Sequence, residues 1–449
     1  MLLDFISLGN DEVLYKSLYK EIKGAVECGV IKKGEKLPSV REAATELQVS
    51  RTTVENAYAQ LCLVGIAESI PQKGYFITGE IKRNESKKAF SDNVNKEILY
   101  DFSSRRIDTK YADTKNWKKT VRRILLNNEE LTSYGDSQGE PALRQALAEY
   151  SYKARGVIAT AENIVIGAGI GPLLNILCGL IERDMLIGFE NRGFKTAENI
   201  FSDYGMKFLA LESDNSGAKL QSIEKENIDV LFLTSSSLSK ISITSLGKRR
   251  NEYFTWANEK KSRYIIEDDY NGELRYTARS VPAFQSKYPQ KTIYIGSFSK
   301  LLLPSVRIAY MVLPNSLAEK FALKKSFYNQ TCGKIDQLAL AEYIKSGNLE
   351  KHLRRLRRLY YAKSRILLEQ IQKHFPKSNP ILYESQLTAE LDTLTDADSE
   401  EICKLLLENG VLVMPSQKKS VINICFSGIK EEDIPSGIKK IAQLINKSL

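Results

Sequence analysis

The sequence predicts a chain of two unlike parts: a small winged helix-turn-helix head and a large α/β body built on a mostly parallel sheet. Three observations carry that prediction. Two short amphipathic segments separated by three residues lie near the start of the chain. Beyond residue 99, apolar runs of strand length alternate with helical stretches. At 449 residues the chain also exceeds a single compact core, since domains run to about 100–200 residues.

The head comes first along the chain. Tyr15 to Cys28 places apolar residues at 15, 18, 19, 22, 25 and 26, one face of a helix. In SVREAATEL, Ser39 is an N-cap with Glu42 three residues on, a capping box, and positions 40, 43, 44 and 47 form the inner face. After QVS a second helix starts, capped by Ser50 and ending near Gly65, and IAESIPQKGYFIT then supplies two short β-prone runs, a wing. Ser50, Arg51, Thr52 and Thr53 open the second helix with small polar and basic groups, as a base-reading N-terminus needs. Arg41, with Ser39 on the preceding turn, is placed to brace the DNA backbone, and Lys73 reaches from the wing tip beside the permissive Gly74. LPSVREAATELQVSRTTVENAYAQL resembles the GntR-type winged helix, from about Tyr15 to Thr78. The alternative is a small helical interaction or dimerisation module. Acids slightly outnumber bases over residues 1–80, so phosphate contacts would rest on a few placed residues.

Domain boundaries are expected at 1–79 for the head, 80–98 for a polar, charge-mixed linker and 99–449 for the body, with its large part about 115–315 and a small C-terminal subdomain about 316–449. The net charge of +10 leaves anionic partners open. Six scattered cysteines without a CxxC pair and only two histidines argue against a disulfide framework or a zinc cluster, so no metal is expected. No apolar run reaches the roughly 20 residues of a membrane span, and the first residues lack the pattern of a secretory signal. The expectation is a reduced, cytoplasmic protein.

Within the body, TIYIGSFSKLLLPSVRIAYMVL is the most informative stretch. A buried strand ends at Gly296 and is followed by Ser297, Ser299, Lys300 and, seven residues later, Arg307. An aldehyde cofactor carrying a phosphate needs such a set: an amine for a Schiff base, and hydroxyls with a guanidinium for the anion. By itself the string also describes an exposed loop lysine. RYIIEDDYNGELRY is a second strand ending in acids, with Asp268 thirty-two residues before Lys300 and Tyr270 two residues further on. Asp268 can pair with a pyridine nitrogen and Tyr270 with a ring hydroxyl. Asp268 and Asp269 alone also fit a solvated pair capping a strand. Gly167, Gly169 and Gly171 do not fit GxGxxG and read better as a phosphate-cradling helix start, with Pro172 in its first turn. Leu349 to Arg365 carries a leucine stripe with arginines between, read as a structural helix with a solvated basic face, a nucleic-acid contact being the alternative.

YGDSQGEPALRQALAEYSYKARGV, IIEDDYNGELRY and SFSKLLLPSVRIAY resemble the fold-type-I aminotransferase domain of MocR/GabR-type regulators, in which a GntR-type winged helix precedes an aminotransferase-like domain that binds pyridoxal phosphate. The resemblance covers nearly the whole chain. It implies Lys300 as the internal aldimine lysine, Asp268 as the pyridinium partner, Tyr270 as a ring-oxygen donor, and Ser297, Ser299 and Arg307 at the phosphate. It implies that Phe194 stacks on the cofactor and that Tyr134 reaches the phosphate from the other subunit. A homodimer, head-to-tail, is implied in the same way, as are an operator in double-stranded DNA and an effector that is pyridoxal phosphate itself or a small amine.

The chain also departs from that pattern. The arginine that clamps a substrate carboxylate is matched by Asn423, so no productive transamination is expected. Gly171 and Pro172 stand where polar amides usually follow the glycine, and Thr234 to Thr244 lacks the usual Pro-Thr-Gly turn. The sequence therefore points to a pyridoxal-phosphate-dependent transcription regulator. An aminotransferase with an appended DNA-binding module is one alternative, and a cofactor-free regulator using the aminotransferase fold as a dimerisation scaffold is another.

Overall fold

The computed structural model describes residues 14–78, 98–103, 106–126, 131–190, 194–214, 216–234, 243–276, 281–416 and 418–448. Most of the expected linker, and residues 235–242 of the Thr234–Thr244 stretch, lie outside the described residues. The chain divides into two compact units, Met1–Asn95 and Lys96–Leu449.

The first unit holds α1 (Leu14–Glu27), α2 (Val40–Glu46) and α3 (Arg51–Leu63), then an antiparallel hairpin of β1 (Ala67–Ile70) and β2 (Gly74–Ile77). α1 buries Leu18, Ile22, Ala25 and Val26 against Val54, Ala57, Tyr58 and Leu61 of α3, so the period read from the sequence becomes the packed face. The capping box at α2 is formed: Ser39 Oγ accepts from the Glu42 amide at 3.2 Å, and Glu42 accepts from the Ser39 amide at 2.9 Å. Tyr58 donates to the Pro38 carbonyl at 3.1 Å, pinning α3 to the chain entering α2. The wing turns through Gln72 and Gly74, both with positive φ, where a glycine removes the steric cost.

The second unit is centred on a seven-stranded sheet of order β4-β12-β11-β10-β9-β5-β6. Its strands are β4 (Ile164–Gly167), β5 (Leu186–Glu190), β6 (Lys207–Leu211), β9 (Val230–Thr234), β10 (Tyr264–Asp269), β11 (Thr292–Ser297) and β12 (Ala309–Val312). β12 alone runs antiparallel to its neighbours, so the α/β fold with a largely parallel sheet holds. Two short pairs lie apart from it. β3 (Tyr100–Asp101) joins β15 (Val411–Leu412), and β7 (Ser213–Asp214) joins β8 (Gly217–Ala218). A four-stranded antiparallel sheet, β13 (Ile381–Tyr383), β14 (Thr388–Asp392), β17 (Val421–Cys425) and β16 (Met414–Pro415), forms the C-terminal part. Two packing facts refine the division near residue 315. Residues Tyr100 to Phe102, from the start of the body, join the C-terminal part through β15 and the Phe102 carbonyl. The helix Asn315–Lys324 buries Leu317 and Phe321 in the core of the large sheet, because its apolar face finds Ile293, Ile295 and Met311 there.

The helix Asn348–His374 buries Leu353, Leu356, Leu359 and Tyr360 and leaves Arg354, Arg355 and Arg358 exposed. Its basic run is thus one side of a structural helix. Lys363, on the inner side, is buried and pairs with Asp108 at 2.7 Å.

Charges are also buried beneath the large sheet's carboxyl ends. Asp269 accepts from Arg155 at 2.5 Å and from the Tyr294 hydroxyl at 2.9 Å. Glu267 takes the amides of Phe284 and Gln285 at 2.7 and 3.0 Å, and Glu273 takes the Tyr150 hydroxyl at 3.1 Å. Burial, and then the charge of Asp269, push the Glu273 carboxyl up to about 7 from its ordinary 4.5. Between those values the folded chain holds a proton that the unfolded chain releases, so this group's contribution to stability declines as pH rises towards 7. Glu273→Gln, which keeps the oxygen facing Tyr150, is expected to flatten the fall in urea midpoint between pH 5 and pH 8. An unchanged slope would remove Glu273 as a cause of that dependence.

Candidate functional site

The site is assembled by strand register. β10 and β11 pair in parallel with Asp268 opposite Ile295 and Asp269 opposite Gly296, so both chains emerge at the same edge. β9 ends beside them, with Thr234 opposite Asp268. The residues that follow, Tyr270 on one strand and Ser299 and Lys300 on the other, are therefore neighbours without being near in sequence. Gly296 is required where it stands, because a Cβ there would lie 2.5 Å from the Tyr310 ring.

Lys300 is not a loop lysine in water. It is 5% exposed, and its Nζ donates to Ser427 Oγ at 2.9 Å and to the Arg106 carbonyl at 3.0 Å. Burial lowers its pKa, against smaller opposing effects of Cys425 and Asp101. A lysine shifted in that direction yields its neutral, nucleophilic form more readily. Asp268 is not a solvated cap either. Burial, and next the neighbouring Asp269, push its carboxyl up to about 7. A cation placed against it would restore its charge. Tyr270 is half-buried and its hydroxyl is pushed up, by burial first.

Next to these strand ends, where β12 pairs with β11 and β4, lies a cradle suited to an anion. The helix Ile170–Cys178 starts from Gly169, which has φ 99°, and the Ala168 amide donates to Thr331 Oγ1 at 3.0 Å. A Cβ on Gly169 would sit 2.6 Å from an Arg307 guanidinium nitrogen, so the glycine opens the space that the arginine fills. Arg307 itself has φ 52° and ψ 42°, a left-handed backbone that costs a non-glycine residue about 1–3 kcal/mol. Arg307 Nη1 lies 3.5 Å from Ser299 Oγ, and Ser297 Oγ donates to Ser299 Oγ at 3.2 Å. Two hydroxyls and a guanidinium thus gather beside a helix start, groups of the kind that hold a phosphate. A buried amine, a buried carboxylate and this cradle fit a phosphorylated pyridine aldehyde.

The other expected residues are placed as follows. Phe194 precedes the helix Lys195–Asp203 and packs, half-buried, on the core that includes Ala197 and Phe201. Tyr134 is fully exposed and takes no part in the pocket of its own chain. Asn423, in β17, is half-buried and its amide donates to the Pro415 carbonyl at 2.9 Å. At the head, Ser50 Oγ accepts from the Thr53 amide at 3.1 Å, and Arg51 and Thr52 are exposed beside it. Arg41, at the start of α2, and Lys73, at the wing turn, are also exposed. Sequence reasoning missed Ser427, Thr331 and the Arg106 carbonyl. Ser427 and Arg106 stand 127 and 194 residues from Lys300, and no local pattern announces them.

Comparison with known proteins agrees with this architecture. Residues 98–441 match the family of class I and II aminotransferases, and residues 14–77 match the gntR family of bacterial regulatory proteins. The chain is 36% identical to the HTH-type transcriptional regulator YdeL of Bacillus subtilis, over 97% of this chain and 98% of that one. It is 29% identical to the HTH-type pyridoxine biosynthesis transcriptional regulator PdxR of Corynebacterium glutamicum, over 76% and 75% of the two chains. It is 28% identical to the probable rhizopine catabolism regulatory protein MocR of Rhizobium meliloti, over 81% and 78%. An archaeal alanine:glyoxylate aminotransferase shares the fold, with a TM-score of 0.69 at 22% identity over 78% of this chain and 91% of that one. Among the described residues no helix is long and apolar enough to cross a membrane, and no three His, Cys, Asp or Glu side chains gather as a metal site.

Gly169→Ala tests the cradle. Its Cβ would displace the Arg307 guanidinium and strain the backbone, so affinity for pyridoxal phosphate, read by absorbance titration, is expected to fall about 5- to 100-fold. Unchanged affinity would mean that this arginine does not hold the phosphate.

Proposed function

The chain belongs to the MocR-type transcriptional regulators, in which a GntR-type DNA-binding head precedes a class I and II aminotransferase domain, and from that premise we propose that it regulates transcription by binding pyridoxal phosphate at Lys300 and answering to that cofactor or to an amine. The observation that carries the reading is the burial of Lys300 Nζ between Ser427 and the Arg106 carbonyl, on the strand edge that also presents Asp268 and faces the arginine-lined cradle. Bound there, pyridoxal phosphate supplies an electrophilic aldehyde carbon and a ring that draws electrons.

The chain's own groups have distinct tasks. Lys300 would be the amine that holds the aldehyde, its neutral form favoured by burial. Asp268 holds a proton on the ring nitrogen by ionising against it. Tyr270 would hydrogen-bond the ring oxygen, and Phe194 would lie against the ring. Ser297, Ser299, Arg307 and the start of the helix Ile170–Cys178 fix the phosphate. Tyr134, exposed on its own chain, is free to reach the phosphate site of a partner subunit, and the homodimer proposed with it is head-to-tail. Ser39, Arg41, Ser50, Arg51, Thr52, Thr53, Lys73 and Gly74 meet operator DNA, with the start of α3 reading bases and the others gripping the backbone. Occupancy at Lys300 and operator affinity are linked, because a ligand that favours one domain arrangement shifts the population towards it.

Productive transamination is not part of this function. Asn423 gives a neutral amide, already bonded to the Pro415 carbonyl, where a transaminase needs a fixed forked charge to orient substrate.

Two experiments test the reading. The full chain with added pyridoxal phosphate is expected to show the visible band of a Schiff base, and Lys300→Ala to lose it. A cofactor-saturated wild type without the band would favour the cofactor-free scaffold, and steady turnover of an amino donor to its keto acid would favour the enzyme. Arg51→Ala is expected to weaken binding to an operator selected from a random duplex pool by about 1–3 kcal/mol. An unaltered gel shift would move the recognition helix elsewhere.

A further inference from the structure

We propose that Arg106 supplies the anion contact that position 423 lacks, so that the effector read at Lys300 is a primary amine carrying a carboxylate. This rests on the reading of Lys300 as the cofactor-bearing amine.

The usual carboxylate position is closed to an anion here. Asn423 spends its amide on the Pro415 carbonyl, and directly across the sheet it faces Glu390, which is itself neutralised by Lys418 at 2.8 Å. Ile422 and Ile424 point into the core, so Asn423 and Cys425 share the opposite face of β17. That face leads to the lysine, since Cys425 Sγ lies 3.2 Å from Ser427 Oγ, which meets Lys300. That face therefore carries a neutral amide and a paired acid where a cation would be wanted.

Arg106 reaches this amine from the other end of the domain through its backbone carbonyl, so a residue that touches Lys300 also carries a cationic side chain. Its carbonyl accepts from Lys300 Nζ at 3.0 Å and from Ser427 Oγ at 2.8 Å. The Asp108 amide bonds the Ser427 carbonyl at 3.0 Å, and a Cβ on Gly428 would come within 3.1 Å of the Arg106 carbonyl oxygen. These contacts root the arginine beside the reacting amine. Its guanidinium, by contrast, is barely engaged: the side chain is 80% exposed and its only ion-pair partner among the described residues, Asp101, lies 3.9 Å away. A long side chain with a fixed root and a loosely held head can swing onto a carboxylate whose amine occupies Lys300's neighbourhood, and the guanidinium fork matches a carboxylate. Such a contact selects a ligand without fixing it as rigidly as catalysis needs, which suits a sensor.

The test uses the full chain loaded with pyridoxal phosphate and titrated with glycine, β-alanine and propylamine. Binding is followed by the shift of the visible band and by calorimetry. Wild type is expected to prefer at least one amino acid over propylamine. Arg106→Gln should weaken that amino acid about 10- to 100-fold, the range of a charge-assisted hydrogen bond, and leave propylamine within about twofold. Arg106→Lys should fall between, and Lys110→Gln, an exposed cation nearby, should match wild type. A wild type without preference, or a preference that survives in Arg106→Gln, overturns the inference while leaving the cofactor at Lys300. A wild type that forms no visible band overturns the Lys300 reading and this inference together.

Discussion

The site depends on one constraint, the parallel pairing of β10 with β11. Because Asp268 lies opposite Ile295, a carboxylate at one strand end and a lysine five residues past that register point emerge at the same edge. A slip of one residue would turn Asp268 towards Arg155 and Asp269 towards the pocket, since side chains alternate faces along a strand. The register is held from both sides. Asp269 is locked to Arg155 and Tyr294 below the sheet, and Gly296 is the residue that leaves room for Tyr310. Stability and site geometry are the same arrangement of atoms seen from two faces.

Desolvation then sets the chemistry. It acts in opposite directions on the two ionisable groups, lowering the lysine and raising the acid, and so brings both towards neutrality before any ligand arrives. Arg307 and a helix start leave the adjoining cradle positive. A ligand that is anionic at one end, cationic in its ring and electrophilic at its aldehyde relieves each of these conditions at once. The strained Arg307 backbone carries its guanidinium into the space that Gly169 leaves open.

Charge is divided unevenly along the chain. Residues 1–95 hold 13 basic and 13 acidic side chains, so the whole net charge of +10 resides in the second unit. The DNA-binding head thus lacks a broad excess of positive charge, and the caps at Ser39 and Ser50 fix the residues that open its second and third helices. Helix capping there does double duty, since it fixes the fold of the head and aims Arg51 and Thr52 outward.

The sequence by itself determined the local chemistry. The three helices and wing of the head were legible because a capping box, amphipathic spacing and turn glycines act within a few residues. The lysine, its two serines and the arginine were legible because they fall within eleven residues, from Ser297 to Arg307, at the end of an apolar run. Tertiary structure alone decided the protonation and the partners of those groups. Whether Lys300 and Asp268 stood in water or in the core could not be read from their neighbours in sequence, because burial is a property of what packs over them from elsewhere. Ser427 and Arg106 reach the lysine across 127 and 194 residues, and Gly169 meets Arg307 only once β4 and β12 are paired. Contacts of that range arise from sheet register and chain return, which no short motif encodes.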